Sequence, residues 1–182
     1  MRDGLVRSRT LLLNTVRGWI RTQGQRLPTG SVQTFGARVR ALAERDPVAQ
    51  RLMTVPGVGP VTAVRFVAAV DDRTRFPDAH AVEAYVGLVG GQRSRGDRTR
   101  HLGITKAGSP ALRSCLVQAA HCAKRTLRPG PLRDWVDAVE HRRGRAIAVV
   151  ALARKLTGIL FALWRDDTRY DPFRTNAAPR AR

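Results

Sequence analysis

The sequence predicts an all-α protein, in which an N-terminal helical hairpin precedes a compact helical domain. Three observations predict this class. Apolar residues recur at helical spacing in several stretches, residues typical of helix starts precede some of them, and no stretch shows the alternation of apolar and polar residues that indicates a strand. Because 43% of the 182 residues are hydrophobic, the chain has enough apolar side chains to bury a core.

Residues 1–46 are expected to form a linker and assembly unit. Within residues 5–23 the apolar side chains lie near one face and the arginines mostly elsewhere, which indicates an amphipathic helix. After a turn-rich connection, Ser31 is in position to cap a second helix that reaches about Glu44. Two helices alone bury little apolar surface, so we expect this coiled-coil-like hairpin to pack on the rest of the chain or on a partner.

Residues 47–168 are expected to form the helical domain, and residues 169–182 a flexible tail. Ser109 and Pro110 are a typical cap and first-turn pair for a helix that extends to about Lys124. Other helices are predicted near residues 47–54, 60–70, 80–86, 132–139 and 144–164. The glycine-rich segment 87–109 lacks periodicity, so it is predicted to be a long irregular loop.

The net charge indicates a polyanionic partner. The chain carries 33 basic and 14 acidic residues, which gives a formal charge of +19. Basic side chains bind nucleic acid favourably because they release the counterions condensed on its phosphates. This charge therefore indicates a nucleic-acid partner, without indicating which base sequence is bound.

Neither a membrane span nor a metal site is predicted. The longest apolar stretch, residues 146–153, is followed by Arg154 and Lys155, and the N-terminus lacks the apolar region of a signal peptide. A cytoplasmic protein is therefore expected. The four histidines are dispersed, and Cys115 and Cys122 lie seven positions apart in a predicted helix, so they are expected to be core residues rather than zinc ligands.

The stretch TVPGVGPVTA, residues 54–63, which we call the elbow, breaks one predicted helix and begins another. It predicts a helix-hairpin-helix motif over residues 48–70, in which glycines permit a tight turn and unpaired amides face outward. Such amides and the helix dipole bind backbone phosphates without reading sequence. The alternative is an ordinary turn between helices that happens to use glycine. The residues predicted to bind in this way are Gly57, Val58, Gly59 and Thr62.

The segment 87–108 is the second candidate site. Ser94 lies between two arginines, and guanidinium groups beside it are able to hold a phosphate and stabilise negative charge in a transition state. A serine hydroxyl needs activation, however, and no general base is evident beside it in the sequence. From the residues alone, a solvated serine that contacts RNA or DNA is therefore the favoured interpretation. The basic residues of this segment are Arg93, Arg95, Arg98, Arg100 and Lys106.

Other polar residues have simpler explanations. Ser109 is the second candidate nucleophile, but its place before a proline explains it as a helix cap, and Ser114 lies inside the following helix. His101 is able to act as a base or phosphate donor, although the pattern favours an ordinary surface histidine. Asp71 and Asp72 have no evident third partner for a metal and are expected to cap or solvate a loop.

Read in chain order, five landmarks resemble one family. They are VRSRTLLLNTVRGWIRTQG, LMTVPGVGPVTA, RFPDAHAVEAYVGLV, RSRGDRTRHLGITKAGSPALRSCLVQAA and AVVALARKLTGILFALWRDDTRYD. Over about residues 2–171 the chain resembles the C-terminal region of insertion-sequence transposases that join an N-terminal RuvC-like, DEDD-type nuclease domain to a helical, serine-bearing domain. These enzymes are also called bridge-RNA-guided recombinases.

The resemblance implies that Ser94 attacks a DNA phosphodiester and forms a covalent phosphoserine link. Relatives commonly carry Ser-Ser-Gly-Gly-Lys or Ser-Thr-Gly-Gly-Lys here, whereas this chain has Arg95 at the second position and Asp97 in place of the second glycine. The basic positions that match family motifs, and are implied to contact DNA, are Lys106, Arg113, Arg154 and Lys155.

The resemblance also implies partners. Divalent metal is bound in the RuvC-like domain, whose carboxylates precede the matched region, so no cofactor is expected within this chain. We expect a nucleoid-associated homo-oligomer that acts on DNA, with a guide RNA as a further partner. Because the chain begins at the linker helix, it is expected to be a truncated copy, a degenerate reading frame or a standalone domain.

Three interpretations of function therefore stay open. The chain is a serine-dependent strand-exchange domain, or a remnant that binds DNA or RNA without cleaving it, or an RNA-associated basic protein unrelated to recombination. The family pattern disfavours the third. The serine favours the first, and the absence of the RuvC-like carboxylates favours the second.

Overall fold

The computed structural model describes residues 32–95 and 98–173. Seven α-helices and one β-hairpin occur in these ranges. The helices are α1 (Val32–Arg45), α2 (Pro47–Leu52), α3 (Pro60–Val70), α4 (Ala79–Val86), α5 (Pro110–Thr126), α6 (Pro131–Arg143) and α7 (Arg145–Arg165). The predicted all-α class is confirmed. The helix predicted over residues 5–23, and the Ser31 cap, lie outside the described residues.

Most helices begin where the sequence places a cap or a proline. Ser109 caps α5, because its Oγ accepts a hydrogen bond of 3.3 Å from the Leu112 amide, and Pro110 occupies the first turn. Asp78 caps α4 in the same way, through a 2.8 Å bond from the Ala81 amide. These contacts satisfy amides that have no partner within their own helix.

The prediction of an irregular loop over residues 87–109 is wrong. Strands β1 (Gly90–Arg95) and β2 (Arg98–Ile104) form an antiparallel hairpin, with a bulge between Gly90 and Gln92. The strands contain glycine, arginine and other polar residues, so they lack the apolar alternation that indicates a half-buried strand. Backbone pairing between strands that lie close in sequence provides the order that apolar packing does not.

The core is organised around α7, against which α4, α5 and α6 pack. Phe161, Leu156 and Leu160 of α7 are completely buried. By length and composition α7 is apolar enough to cross a membrane, but half of that apolar stretch is buried inside the protein. This burial is typical of the central helix of a packed domain.

Helix α1 is also part of this core. It packs on α3, and Val39 and Ala43 are both fully buried. Residues 32–45 therefore bury their apolar face against the rest of the chain, as expected for one half of a hairpin that cannot fold alone. The proposed domain boundary at residue 46 stays a prediction.

Candidate nucleic-acid interface

The elbow joins α2 to α3 through a closed turn. The Val58 amide donates to the Val55 carbonyl at 3.1 Å, and the Val55 amide donates to the Leu52 carbonyl at 3.2 Å. The expectation that the Val58 amide faces outward is therefore wrong, because that donor is used to close the turn. The Val58 side chain is also buried.

Gly57 lies where the elbow packs against α5. Its φ of +81° is a left-handed conformation that glycine adopts readily. A Cβ placed on it would lie 2.3 Å from the Ala119 carbonyl oxygen and 2.5 Å from the Ala123 amide nitrogen. Close packing between two backbones therefore requires glycine at this position.

Gly59 differs from Gly57 in both respects. It is the N-cap of α3 with an ordinary φ of −97°, and it provides no side-chain cap. A Cβ placed there would have no heavy atom of the described residues within 4 Å. Neither folding nor packing in the described part of the protein requires glycine at position 59. Glycine also occurs where a ligand approaches the backbone closely.

The first turn of α3 supplies main-chain donors beside Gly59. The amides of Gly59, Val61 and Thr62 have no backbone acceptor among the described residues. The Thr62 side chain is buried, so its predicted role in binding is restricted to its amide. Unpaired amides at a helix N-terminus favour an anion.

Ser94 lies on β1 and is exposed to solvent. The hairpin register pairs it with Thr99, and its Oγ accepts a 3.5 Å hydrogen bond from Gln92 Nε2. The same register pairs Gln92 with His101, and the Arg93–Arg100 pair lies between that pair and Ser94–Thr99. The hairpin thus places Ser94 and His101 on paired strands, where the sequence suggested a loop.

The register also pairs the arginines of the two strands with each other. Arg93 pairs with Arg100, and Arg95 pairs with Arg98. Four basic positions therefore lie on the two strands of one hairpin. Such a concentration of positive charge favours a polyanionic partner.

The basic positions implied by the resemblance have intramolecular contacts. Arg113 Nη1 donates to the carbonyls of Val86 and Ala107, at 2.9 and 2.8 Å, and so joins the two ends of the segment that holds the hairpin. Lys106 is exposed with a φ of +58°, and its amide donates to the Gly87 carbonyl at 3.1 Å.

The two basic residues of α7 contact neighbouring helices. Arg154 Nε donates to Glu83 Oε2 at 2.6 Å, and Lys155 Nζ lies 4.4 Å from the centre of the Trp135 ring. Both side chains therefore help to hold α4 and α6 against α7. Their contact with DNA stays a prediction.

The elbow and the hairpin contact α5 at different positions along its axis. Gly57 meets this helix at Ala119 and Ala123, whereas the hairpin base meets it at Arg113. These positions are six to ten residues apart, or about 9–15 Å along the helix axis. Successive phosphates of one DNA strand are about 3.4 Å apart along the duplex axis, so a few base pairs cover that separation.

A family model described as transposase, IS116/IS110/IS902 family, matches residues 49–133, which include the elbow, the hairpin and all of α5. The chain is similar to transposases of this family. A transposase for insertion sequence element IS1111A from Coxiella burnetii is 28% identical over 97% of this chain and 59% of its own length. A probable family 20 transposase from Pseudomonas aeruginosa is 30% identical over 94% of this chain and 63% of its own length.

A third relative, the transposase for insertion sequence element IS1328 from Yersinia enterocolitica, is 34% identical over 68% of this chain and 37% of its own length. The chain thus spans about six tenths of the length of the first two relatives, at 59% and 63%, and less of the third. The matched residues 49–133 are the region that holds both candidate sites.

Asp72 and the two cysteines, which were alternative candidates for a metal site, have structural roles. Asp72 caps a short 3₁₀ turn by accepting a 2.8 Å bond from the Thr74 amide, and hydrogen bonds from Thr74 lower the pKa of this carboxyl. Within the described ranges, no group of three or more histidine, cysteine or acidic residues is placed to hold a metal. Cys115 is buried, which raises the pKa of its thiol, and Cys122 is half-buried.

The C-terminal end of the described chain lies against the elbow. The Tyr170 amide donates to Thr54 Oγ1 at 3.0 Å, and Asp167 Oδ1 lies 2.6 Å from Arg51 Nη1. Between the elbow and Tyr170 lies a cavity of about 270 Å³, also lined by residues 126–128 and Arg133. Sequence reasoning placed a flexible tail from residue 169 onward and did not predict these contacts.

Proposed function

We propose that this chain is the DNA-binding and strand-transfer part of an insertion-sequence transposase. The observation that carries the proposal is the elbow: unpaired amides at the start of α3, beside a glycine that the described fold does not require. The net charge of +19 and the similarity to transposases support DNA as the partner. Amides that bind phosphate oxygens position a protein on DNA without selecting a base sequence.

In this proposal Ser94 is the nucleophile. Its Oγ attacks the phosphorus of one DNA phosphodiester, forming an Oγ–P bond while the P–O bond to the leaving strand breaks. The serine proton is transferred through solvent to the leaving oxygen, which becomes a free hydroxyl. A hydroxyl of a second strand then attacks the phosphoserine and releases Ser94, so the number of phosphodiester bonds is conserved.

The proposal extends to partners outside the chain. A RuvC-like domain would supply carboxylates for divalent metal, a guide RNA would choose the target, and a homo-oligomer in the bacterial cytoplasm, on the nucleoid, would bring two DNA ends together. The resemblance described above is the basis for these partners. The elbow and the segment that holds Ser94 both contact α5, which supports their acting on one DNA.

A binding function without cleavage is the second candidate. The hydrogen bond between Gln92 and Ser94 is donated by the amide nitrogen, so it does not provide an acceptor for the serine proton. Arg95 and Asp97 also depart from the residues that relatives carry. A domain that binds DNA through the elbow and the hairpin, but does not form a phosphoserine, would have these features.

Binding to duplex DNA tests the proposal for both candidates. We expect the logarithm of the association constant to fall linearly with the logarithm of salt concentration, with a slope of about −4.5 to −6.3 if five to seven phosphates are contacted, at roughly 0.9 per phosphate. Fluorescence anisotropy with labelled duplexes between about 50 and 300 mM salt measures this slope. Affinity that does not change with salt would contradict DNA-backbone binding.

A further inference from the structure

A cluster of exposed cations lies where α6 meets α7. Arg142 and Arg143 end α6, and Arg145 begins α7 after Gly144, whose φ is +82°. Every residue from 141 to 147 is exposed, and none of the seven is acidic. We call Arg142, Arg143 and Arg145 the basic corner. The sequence patterns did not predict any of these three residues to be part of a binding site.

Folding accounts for only part of this cluster, because the helix dipole favours Arg142 and Arg143 at the C-terminus of α6 but not Arg145. None of the ion pairs in the described part of the chain includes a basic-corner residue, whereas Arg51, Arg133 and Arg154 each contact a carboxylate. Arg142 makes one bond inside its own helix, from Nε to the Ala138 carbonyl at 3.3 Å. Arg145 lies in the first turn of a helix, where the helix dipole disfavours a cation.

The basic corner faces the same end of the molecule as the hairpin. Helix α4 runs antiparallel to α7, because Ala79 lies beside Gly158 and Glu83 beside Arg154. The C-terminus of α4, which leads into the hairpin, therefore points toward the N-terminus of α7. Arg145 is nine positions before Arg154, about 14 Å along α7.

We propose that the basic corner is a second surface for duplex DNA, which holds backbone phosphates beyond those bound near the hairpin. The partner follows from charge complementarity. Three guanidinium groups that have no carboxylate partner in residues 32–95 and 98–173 match a line of phosphates, which arginine binds in a bidentate way. This inference rests on the proposed DNA-binding function and adds to it a contact on α6 and α7, away from the elbow.

The test compares two triple variants with the same loss of charge. Arg142, Arg143 and Arg145 are replaced by glutamine in one, and the exposed Arg38, Arg40 and Arg45 of α1 are replaced by glutamine in the other. For the basic-corner variant we expect the salt slope for a duplex to become shallower by about 2–3, at roughly 0.9 per phosphate contact, and Kd near 100 mM salt to rise on the order of tenfold or more. Thermal melting of both variants should match that of the wild type.

Four outcomes would overturn the inference, and they differ from the failure of the proposed function. Equal slopes for the two triple variants, with DNA binding by the wild type intact, would show that the basic corner contributes only general charge. Loss of binding to an RNA hairpin, with duplex binding unchanged, would reassign the surface to RNA. A melting temperature lowered only in the basic-corner variant would mean that these arginines stabilise the fold. Wild-type binding without salt dependence would overturn both the inference and the proposed function.

Discussion

Replacement of Ser94 by alanine is expected to abolish any covalent adduct between the chain and DNA. Ser94 is exposed on β1, and its Oγ is the atom that would form the bond to phosphorus. A positioned hydroxyl nucleophile has no substitute in an alanine variant, so we expect the adduct to fall below detection rather than to decrease partially. The measurement is a denaturing gel of chain incubated with nicked terminal-end DNA, with and without a RuvC-like domain and guide RNA.

Thr99→Ala is the matched control for this experiment. Thr99 pairs with Ser94 in the hairpin register, so its replacement removes a hydroxyl from the neighbouring strand of the same ribbon. We expect the adduct to persist in this variant. An adduct that survives Ser94→Ala would assign the nucleophile elsewhere, and no adduct from the wild type under either condition would favour the binding function without cleavage.

Replacement of Gly57 by alanine is expected to destabilise the fold by about 3–5 kcal/mol. The left-handed φ of +81° costs about 1–2 kcal/mol for an L-residue. The added Cβ would also lie 2.3 Å from the Ala119 carbonyl oxygen, a backbone atom of α5 that cannot rotate away. Chemical denaturation followed by circular dichroism measures this change in the free energy of unfolding.

Gly59→Ala provides the comparison, because the same substitution is made two residues further along. Its Cβ would meet no heavy atom of the described residues within 4 Å, and its φ of −97° suits any residue. We therefore expect a loss of about 1 kcal/mol or less, from the poorer N-cap. Similar losses at both positions would mean that the elbow does not pack on α5 as described.

The helices were predictable where local signals agree. Pro60 and the apolar run that follows predicted α3 over residues 60–70, and the structure has Pro60–Val70. Ser109 and Pro110 predicted the start of α5 for the same physical reason, since capping and proline geometry depend only on neighbouring residues. Where the local signal is strong, tertiary packing did not override it.

The hairpin was not predictable from hydrophobic periodicity, because its strands carry mainly glycine and polar residues. A signal was nevertheless present. The strands are separated in sequence by Gly96 and Asp97, and a Gly-Asp pair between two potential strands is typical of a two-residue hairpin connection. Turn chemistry would have found the element that periodicity missed.

Contacts between residues far apart in sequence are the other part of the structure that the sequence did not predict. Arg65 is a basic residue of α3, yet it is only 2% exposed and donates to the Ala111 carbonyl across 46 positions of sequence. Glu83 and Arg154 are 71 positions apart. Because such pairs depend on how α3, α4, α5 and α7 pack, no local pattern indicates them.

Unpaired amides at the start of α3 are proposed to bind DNA phosphates, and a Gly59→Asn variant isolates this contact. Asparagine is a better N-cap than glycine, since its side chain accepts hydrogen bonds from the amides two and three positions further on. In this chain those amides belong to Val61 and Thr62. The variant therefore occupies the proposed phosphate donors without changing the net charge.

The measurement is the affinity of this variant for several unrelated duplexes, together with its melting temperature. We expect a melting temperature equal to or slightly above that of the wild type. We also expect affinity to weaken by about tenfold on every duplex, because hydrogen bonds to a charged group contribute about 1.5–3 kcal/mol. Unchanged affinity in a fully folded Gly59→Asn variant would contradict the claim.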